Sequence, residues 1–143
     1  MTGVQTCALP ISKFDEIHQK RRHNKKRLHA IFETLPFCRV INERPEAETS
    51  WFGVPIAFEY DKQGLVKWLE NHKIQTRNYF AGNILMHPAY KQLESASNYP
   101  NASKVLDNVF FVGCSPVITD EMIDYIEEVV EEYRKTKIYH HPV

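Results

Sequence analysis

The segment TRNYFAGNILMHP at 76–88 gathers the residue types that recognise charged and ring-bearing ligands. Arg77 offers a planar fork of donors suited to a phosphate or carboxylate. Asn78 and Asn83 can each donate and accept, as needed to read sugar hydroxyls or a nucleotide edge. Tyr79 and Phe80 present faces on which a ring can stack, and Gly82 lets the backbone turn or approach a neighbour closely. The same residues also suit a plain surface loop between a strand and a helix, with Arg77 in a salt bridge and Phe80 in the core. Residue chemistry alone leaves both readings open.

No catalytic motif stands elsewhere. The chain has no GxGxxG after a strand, no Walker-type GKS or GKT, no HExxH and no GxSxG. Its seven histidines are not spaced to pair with a cysteine or carboxylate as nucleophile and base. Cys38 and Cys114 lie far apart among apolar neighbours, without CxxC spacing, and read as small buried hydrophobes in a reducing, cytoplasmic setting. The adjacent His140 and His141 read as exposed tail residues rather than metal ligands.

The elements that must position the segment alternate between helix and strand. Phe14, Ile17, Leu28, Ile31 and Leu35 keep one helical face over 13–35, which Arg21 and Asn24 interrupt; such a helix packs at both ends and crosses something polar. Pro36 ends it. PFCRVI (36–41) predicts a strand, 42–50 a loop, and WFGVPIAFEY (51–60) a strand whose Gly53 and Pro55 argue for an edge or a bulge. Asp61 caps a short helix running to about His72, KIQTR (73–77) is a further strand, and a loop over 95–104 ends at an Asn101 cap. NVFFVG (108–113) is a strand, and Thr119 opens the best amphipathic helix, with Asp120 and Glu121 in its first turn and Arg134 and Lys135 at its end. The fold class is therefore mixed α/β of α+β character: one short sheet, flanking helices on one face and a long leading helix.

With 143 residues, 43% of them hydrophobic, the chain can bury one core. Its formal charge is zero, but Lys and Arg crowd 13–27 while Asp and Glu crowd 120–132, which reads as two solvated helix faces. The basic run lacks the aromatic or turn signatures of a nucleic-acid footprint. No apolar stretch is long enough to span a membrane. Met1 to Ile11 resemble the translation of a common sequencing-library adapter read from a GTG start. Residues 1–12, including Cys7, are therefore set aside as an expected artefactual leader, and the chain is expected to begin in the middle of a longer protein.

Four blocks in order, SWFGVPI (50–56), IQTRNYFAGN (74–83), HPAY (87–90) and LDNVFFVGCSPVITDEMIDYI (106–126), resemble the C-terminal domain of the DegT/StrS family of pyridoxal-phosphate sugar aminotransferases and dehydrases. The TR, two residues, FAGN pattern is most similar to the branch that includes CDP-4-keto-6-deoxyglucose-3-dehydrase of lipopolysaccharide biosynthesis. Two positions depart from that branch: His87 where Gln is common, and Val117 where Gly is usual.

The resemblance implies a fold type I enzyme whose large N-terminal cofactor domain lies upstream. Residues 13–35 would be an interdomain helix, 36–135 the small C-terminal domain and 136–143 a tail. It implies substrate-enclosing roles for Arg77, Phe80, Gly82 and Asn83, with no catalytic or metal-binding residue in this part. It also implies a homodimer with its site at the interface and a CDP-4-keto-6-deoxyglucose-like nucleotide-sugar substrate. Pyridoxal or pyridoxamine phosphate would be held by the parent; an iron–sulfur cluster and a reductase partner occur in some members. In the dehydrase branch a His stands at the upstream aldimine position, in the aminotransferases a Lys. The alternatives are a sugar aminotransferase carrying the same pattern and, in another class, a self-standing binding or dimerisation module.

Overall fold

The computed structural model describes residues 11–138; Cys7, His140 and His141 lie outside the described residues. Helix α1 (Phe14–Glu33) buries Leu28, Ile31 and Phe32 from its C-terminal half. Each such side chain contributes about 1.5–3 kcal/mol on leaving water. The N-terminal end of the expected stripe packs less, since Phe14 stays 56% exposed. The polar interruption has a partner: Asn24 is fully buried and its amide donates to the carbonyls of Ser115 (2.8 Å) and Ile118 (3.1 Å). What the long helix crosses is the backbone of the 115–118 turn.

Strand β1 (Cys38–Val40), β2 (Gly53–Phe58), β3 (Thr76–Asn78) and β4 (Val109–Gly113) form one antiparallel sheet in the order β1-β2-β4-β3. β2 is therefore interior, not the edge strand that Gly53 and Pro55 suggested. Pro55 is tolerated because its carbonyl accepts from Ile41 N, just beyond Val40↔Ile56 in the β1 register. Its nitrogen faces that same side, where β1 has ended, so no bond to β4 is lost. Gly53 has a packing reason, given below.

Helix α2 (Lys62–Asn71) begins at Asp61, whose carboxylate accepts from Gly64 N at 2.9 Å. It closes with Lys73 at φ 64° and Ile74 N bonded to Leu69 O. That closing turn consumes residues expected in the next strand, so β3 starts only at Thr76. Helix α3 (Pro100–Asn108) is capped by Tyr99 rather than Asn101, because Pro100 takes its first turn, where a missing N–H costs nothing. Helix α4 (Asp120–Tyr133) starts as expected, with Thr119 Oγ1 accepting from Met122 N. At its end Arg134 and Lys135 pair with Glu131 in a π turn (Arg134–Ile138).

Val54, Ile56, Phe58, Phe110 and Val112 point to one face, where they meet Leu28 and Phe32 of α1, Leu65 and Leu69 of α2, and Ile123, Ile126, Val130 and Tyr133 of α4. The opposite charge runs are not two independent solvated faces. Arg27 reaches Asp120 (3.2 Å), Asp124 (2.6 Å) and Glu127 (3.9 Å), while Lys20 and His23 both reach Asp120, forming a seam between α1 and α4.

Candidate functional site

The other face of the sheet carries the segment singled out by its chemistry. Arg77 on β3 stands opposite Phe111 on β4, and Phe111 stands opposite Pro55 on β2. Side chains alternate along a strand, so these three form a row on the face away from the core. Arg77 is exposed, and its guanidinium makes no ion pair or hydrogen bond among the described residues. The salt-bridged alternative is not what the fold adopts. Asn78, one position on, belongs to the opposite face and borders a separate hollow with Lys62 and Asp107.

Beyond β3 the chain turns sharply. Phe80 takes φ 51° and holds its ring 66% exposed, so it is not a core residue. Left-handed backbone is uncommon for a bulky side chain and costs energy wherever it is held. The Phe80 ring lies 6.2 Å from Phe52 and 6.4 Å from Phe111, and Phe52 lies 5.4 Å from Phe111. Gly53 makes the cluster feasible: a Cβ there would meet the Phe111 ring at 2.5 Å. With Trp51, Pro55 and Tyr79 these rings border a hollow of about 270 Å³.

Gly82 follows at φ 56°, where a Cβ would fall 2.5 Å from Leu106 Cβ of α3. The close approach expected of this glycine is to the chain's own helix. Asn83 is 2% exposed. Its amide donates to Ala96 O (3.1 Å) and Ser103 Oγ (2.9 Å), and its oxygen accepts from Leu85 N (3.1 Å). Asn83 thus ties the 83–103 excursion together rather than facing a surface. His87 bonds Ala81 O through Nε2 at 2.9 Å and braces the same turn.

Sequence reasoning brought Arg77 and Phe80 to one site but missed Phe52 and Phe111. The available signal was Gly53 in the middle of an aromatic strand, a position where a ring can lie against the backbone.

The remaining reactive groups are committed elsewhere. Burial pushes the Cys38 thiol up to about 12 and the Cys114 thiol up to about 11, and Cys114 donates to Trp51 O. Cys114 is buried in the core and Cys38 packs half-buried against it, so both serve as small hydrophobes, as their neighbours suggested. Lys62 donates to Leu106 O, and burial lowers its pKa. The described residues hold no cluster of three or more metal-ligating side chains, and no described helix is long and apolar enough to cross a membrane.

Among curated proteins, the chain is 37% identical over 129 residues to dTDP-4-dehydro-2,6-dideoxy-D-glucose 3-dehydratase of Saccharopolyspora spinosa, covering 86% of this chain and 28% of that protein. It is 27% identical over 143 residues to the lipopolysaccharide biosynthesis protein RfbH of Salmonella typhimurium, covering 93% of this chain and 32% of that one. Among solved structures, a variant of GDP-4-keto-6-deoxymannose-3-dehydratase (ColD) with bound GDP-perosamine superposes with a TM-score of 0.70 at 27% identity, covering 83% of this chain and 32% of that chain. The chain thus spans about a third of the length of the relatives it matches. Residues 7–131 match the family profile, and the chain belongs to the DegT/DnrJ/EryC1/StrS aminotransferase family.

Proposed function

We propose that this chain is the C-terminal part of a nucleotide-sugar 3-dehydrase of deoxysugar or lipopolysaccharide biosynthesis. Its role is to help enclose the substrate. The observation that carries this reading is Arg77, unpaired among the described residues, in the same cross-strand row as Phe111 and beside a strained and exposed Phe80. A guanidinium left without a partner on an otherwise aromatic face suits the charged part of a nucleotide sugar. Phe80 would border the substrate directly. Gly82 and Asn83 would act through the shape of the loop that carries it. The likeness to two sugar 3-dehydratases at 37% and 27% identity supports loss of a C3 hydroxyl as the reaction of the parent.

Pyridoxal or pyridoxamine phosphate, which the family implies, does not fit the described residues. The buried Lys25 is engaged by Glu43 and the half-buried Lys62 by Leu106 O. The first turns of α2 and α4 are closed by Asp61 and Thr119. The cofactor is therefore assigned to the rest of the parent, which in this reading is a cytoplasmic homodimer. Any iron–sulfur cluster and reductase contact are assigned there as well, since the described residues gather no group of three or more His, Cys, Asp or Glu.

The name of the family favours a second reading, the same domain of a sugar aminotransferase. To separate the two, the reading frame upstream of Lys13 is recovered, and the full-length protein is assayed with nucleotide 4-keto-6-deoxy sugars. A 3-deoxy product formed without an amino donor supports the dehydrase. An amino sugar formed only with an amino donor replaces it with the transferase.

A further inference from the structure

We infer that the aromatic hollow formed by Phe52, Phe80 and Phe111 over Gly53 is a subsite for the planar base of a nucleotide, with Arg77 beside it receiving the diphosphate. The inference rests on the nucleotide-sugar reading above and specifies which part of the substrate this face holds.

The lining chemistry selects the ligand. A hydroxyl-rich sugar needs several converging hydrogen-bond partners, and the side chains lining the hollow offer two, the Trp51 indole N–H and the Tyr79 hydroxyl, among aromatic rings and Pro55. A heteroaromatic base needs apolar faces and edges instead, and stacking tolerates any of the bases. Phe52 stands edge-on to both other rings, at 75° to Phe80 and 89° to Phe111, while Phe80 and Phe111 lie within 36° of one another. The three rings touch one another, so the base would lie on the exposed face of Phe80 beside this cluster rather than between the rings.

Two further features set this hollow apart from an ordinary apolar patch. The backbone takes up a left-handed conformation at Phe80 to present that ring, 66% exposed, toward solvent. Arg77, unpaired among the described residues, follows Phe111 in the cross-strand row. Opposed Cβ atoms in such a pair are about 4.5–5.5 Å apart, and the length of an arginine side chain lets its guanidinium reach groups just outside the hollow. A base and its diphosphate are joined through one pentose, which matches a ring site adjoining a cation site.

The test is saturation-transfer difference NMR on the full chain at low micromolar concentration, a method that tolerates self-association. The probes are cytidine, thymidine and guanosine 5′-diphosphates, with ribose 5-phosphate as a ring-free control. Irradiation of protein resonances is expected to reach base protons more strongly than ribose protons, and to leave the control unsaturated. Phe80→Leu and, separately, Phe52→Leu should weaken nucleotide binding about tenfold or more, as expected when a stacking face is lost, whereas Arg77→Ala should weaken it with the base-to-ribose pattern retained. Equal saturation of base and ribose, no saturation at all, or unchanged binding in both Phe variants would overturn the subsite. Base contact in a protein that transfers amino groups would sink only the dehydrase reading, and dehydration by a protein whose base protons receive no saturation would sink only this one.

Discussion

Gly82 lies so close to Leu106 that a Cβ at position 82 would sit 2.5 Å from the Leu106 Cβ, and its φ of 56° is one that L side chains rarely adopt. The turn presenting Phe80 is thereby fastened to α3. Gly82→Ala combines backbone strain with a clash and should destabilise the chain by about 2–4 kcal/mol. Urea unfolding checks this; a midpoint within error of the wild type would mean that α3 yields easily.

Arg77→Ala should separate function from stability. The side chain is exposed and unpaired among the described residues, so the melting temperature should hardly move. In the full-length protein the same change should reduce kcat/KM for the nucleotide sugar by about 1–3 kcal/mol, the range for a lost charge-assisted hydrogen bond. Unchanged kinetics would remove Arg77 from the site.

Asn24→Leu tests the buried tether between α1 and the 115–118 turn. The substitution takes the Asn24 donor from Ile118 O and leaves Ser115 O with only Ile118 N, in a water-poor place. A loss of about 1–3 kcal/mol is expected in the same unfolding experiment. A neutral effect would show that apolar packing replaces the tether.

The seam between α1 and α4 should respond to acid. Hydrogen bonds from His23 and then Arg27 hold the Asp120 carboxylate below its usual 3.8. A depressed folded-state pKa stabilises the fold above the unfolded value, and the benefit is lost as pH falls through the folded one. The wild type should therefore exceed Asp120→Asn in melting temperature at neutral pH, with the gap closing below about pH 4 and shrinking in high salt. A gap that persists in strong acid would show that the effect does not come from the Asp120 charge.

The isolated chain should self-associate. Phe52, Phe80, Ile84, Met86, Tyr90 and Leu93 are each at least 45% exposed, and all but Phe52 fall within the excursion from 80 to 93. Analytical ultracentrifugation should show concentration-dependent association; a monodisperse monomer would mean that these side chains do not form a sticky surface.

What could be read from sequence depended on how local its cause is. Asp61 and Thr119 act on the turn beside them, and both caps stand where their residue types indicated. Pro55 misled because the tolerance of a proline depends on which neighbouring strand its nitrogen faces, a fact of register rather than of composition. Asn83 and Gly82 stood in a segment that looked ready for a ligand, yet their nearest partners come from 96–106, beyond any sequence window. Arg77 and Phe80 could be chosen on residue type alone, but Phe111 joins them only through the pairing of β3 with β4. The charge runs at the two ends of the chain looked independent because nothing local reveals that α1 lies along α4.

The strand order has a consequence for synthesis on the ribosome. β1, β2 and β3 all precede β4, yet both β2 and β3 pair with β4 and not with each other. β2 can pair with β1 beforehand, but neither β2 nor β3 can gain its β4 partner until Gly113 has left the exit tunnel, and the long loop closures involved make that pairing slow. Until then Phe52 and Phe80 have no Phe111 to meet, and Arg77 has no row to join. The ligand-facing surface is thus completed in one late step, and a nascent chain halted before residue 109 would carry every residue of the 76–88 segment without the row that joins Arg77 to Phe111.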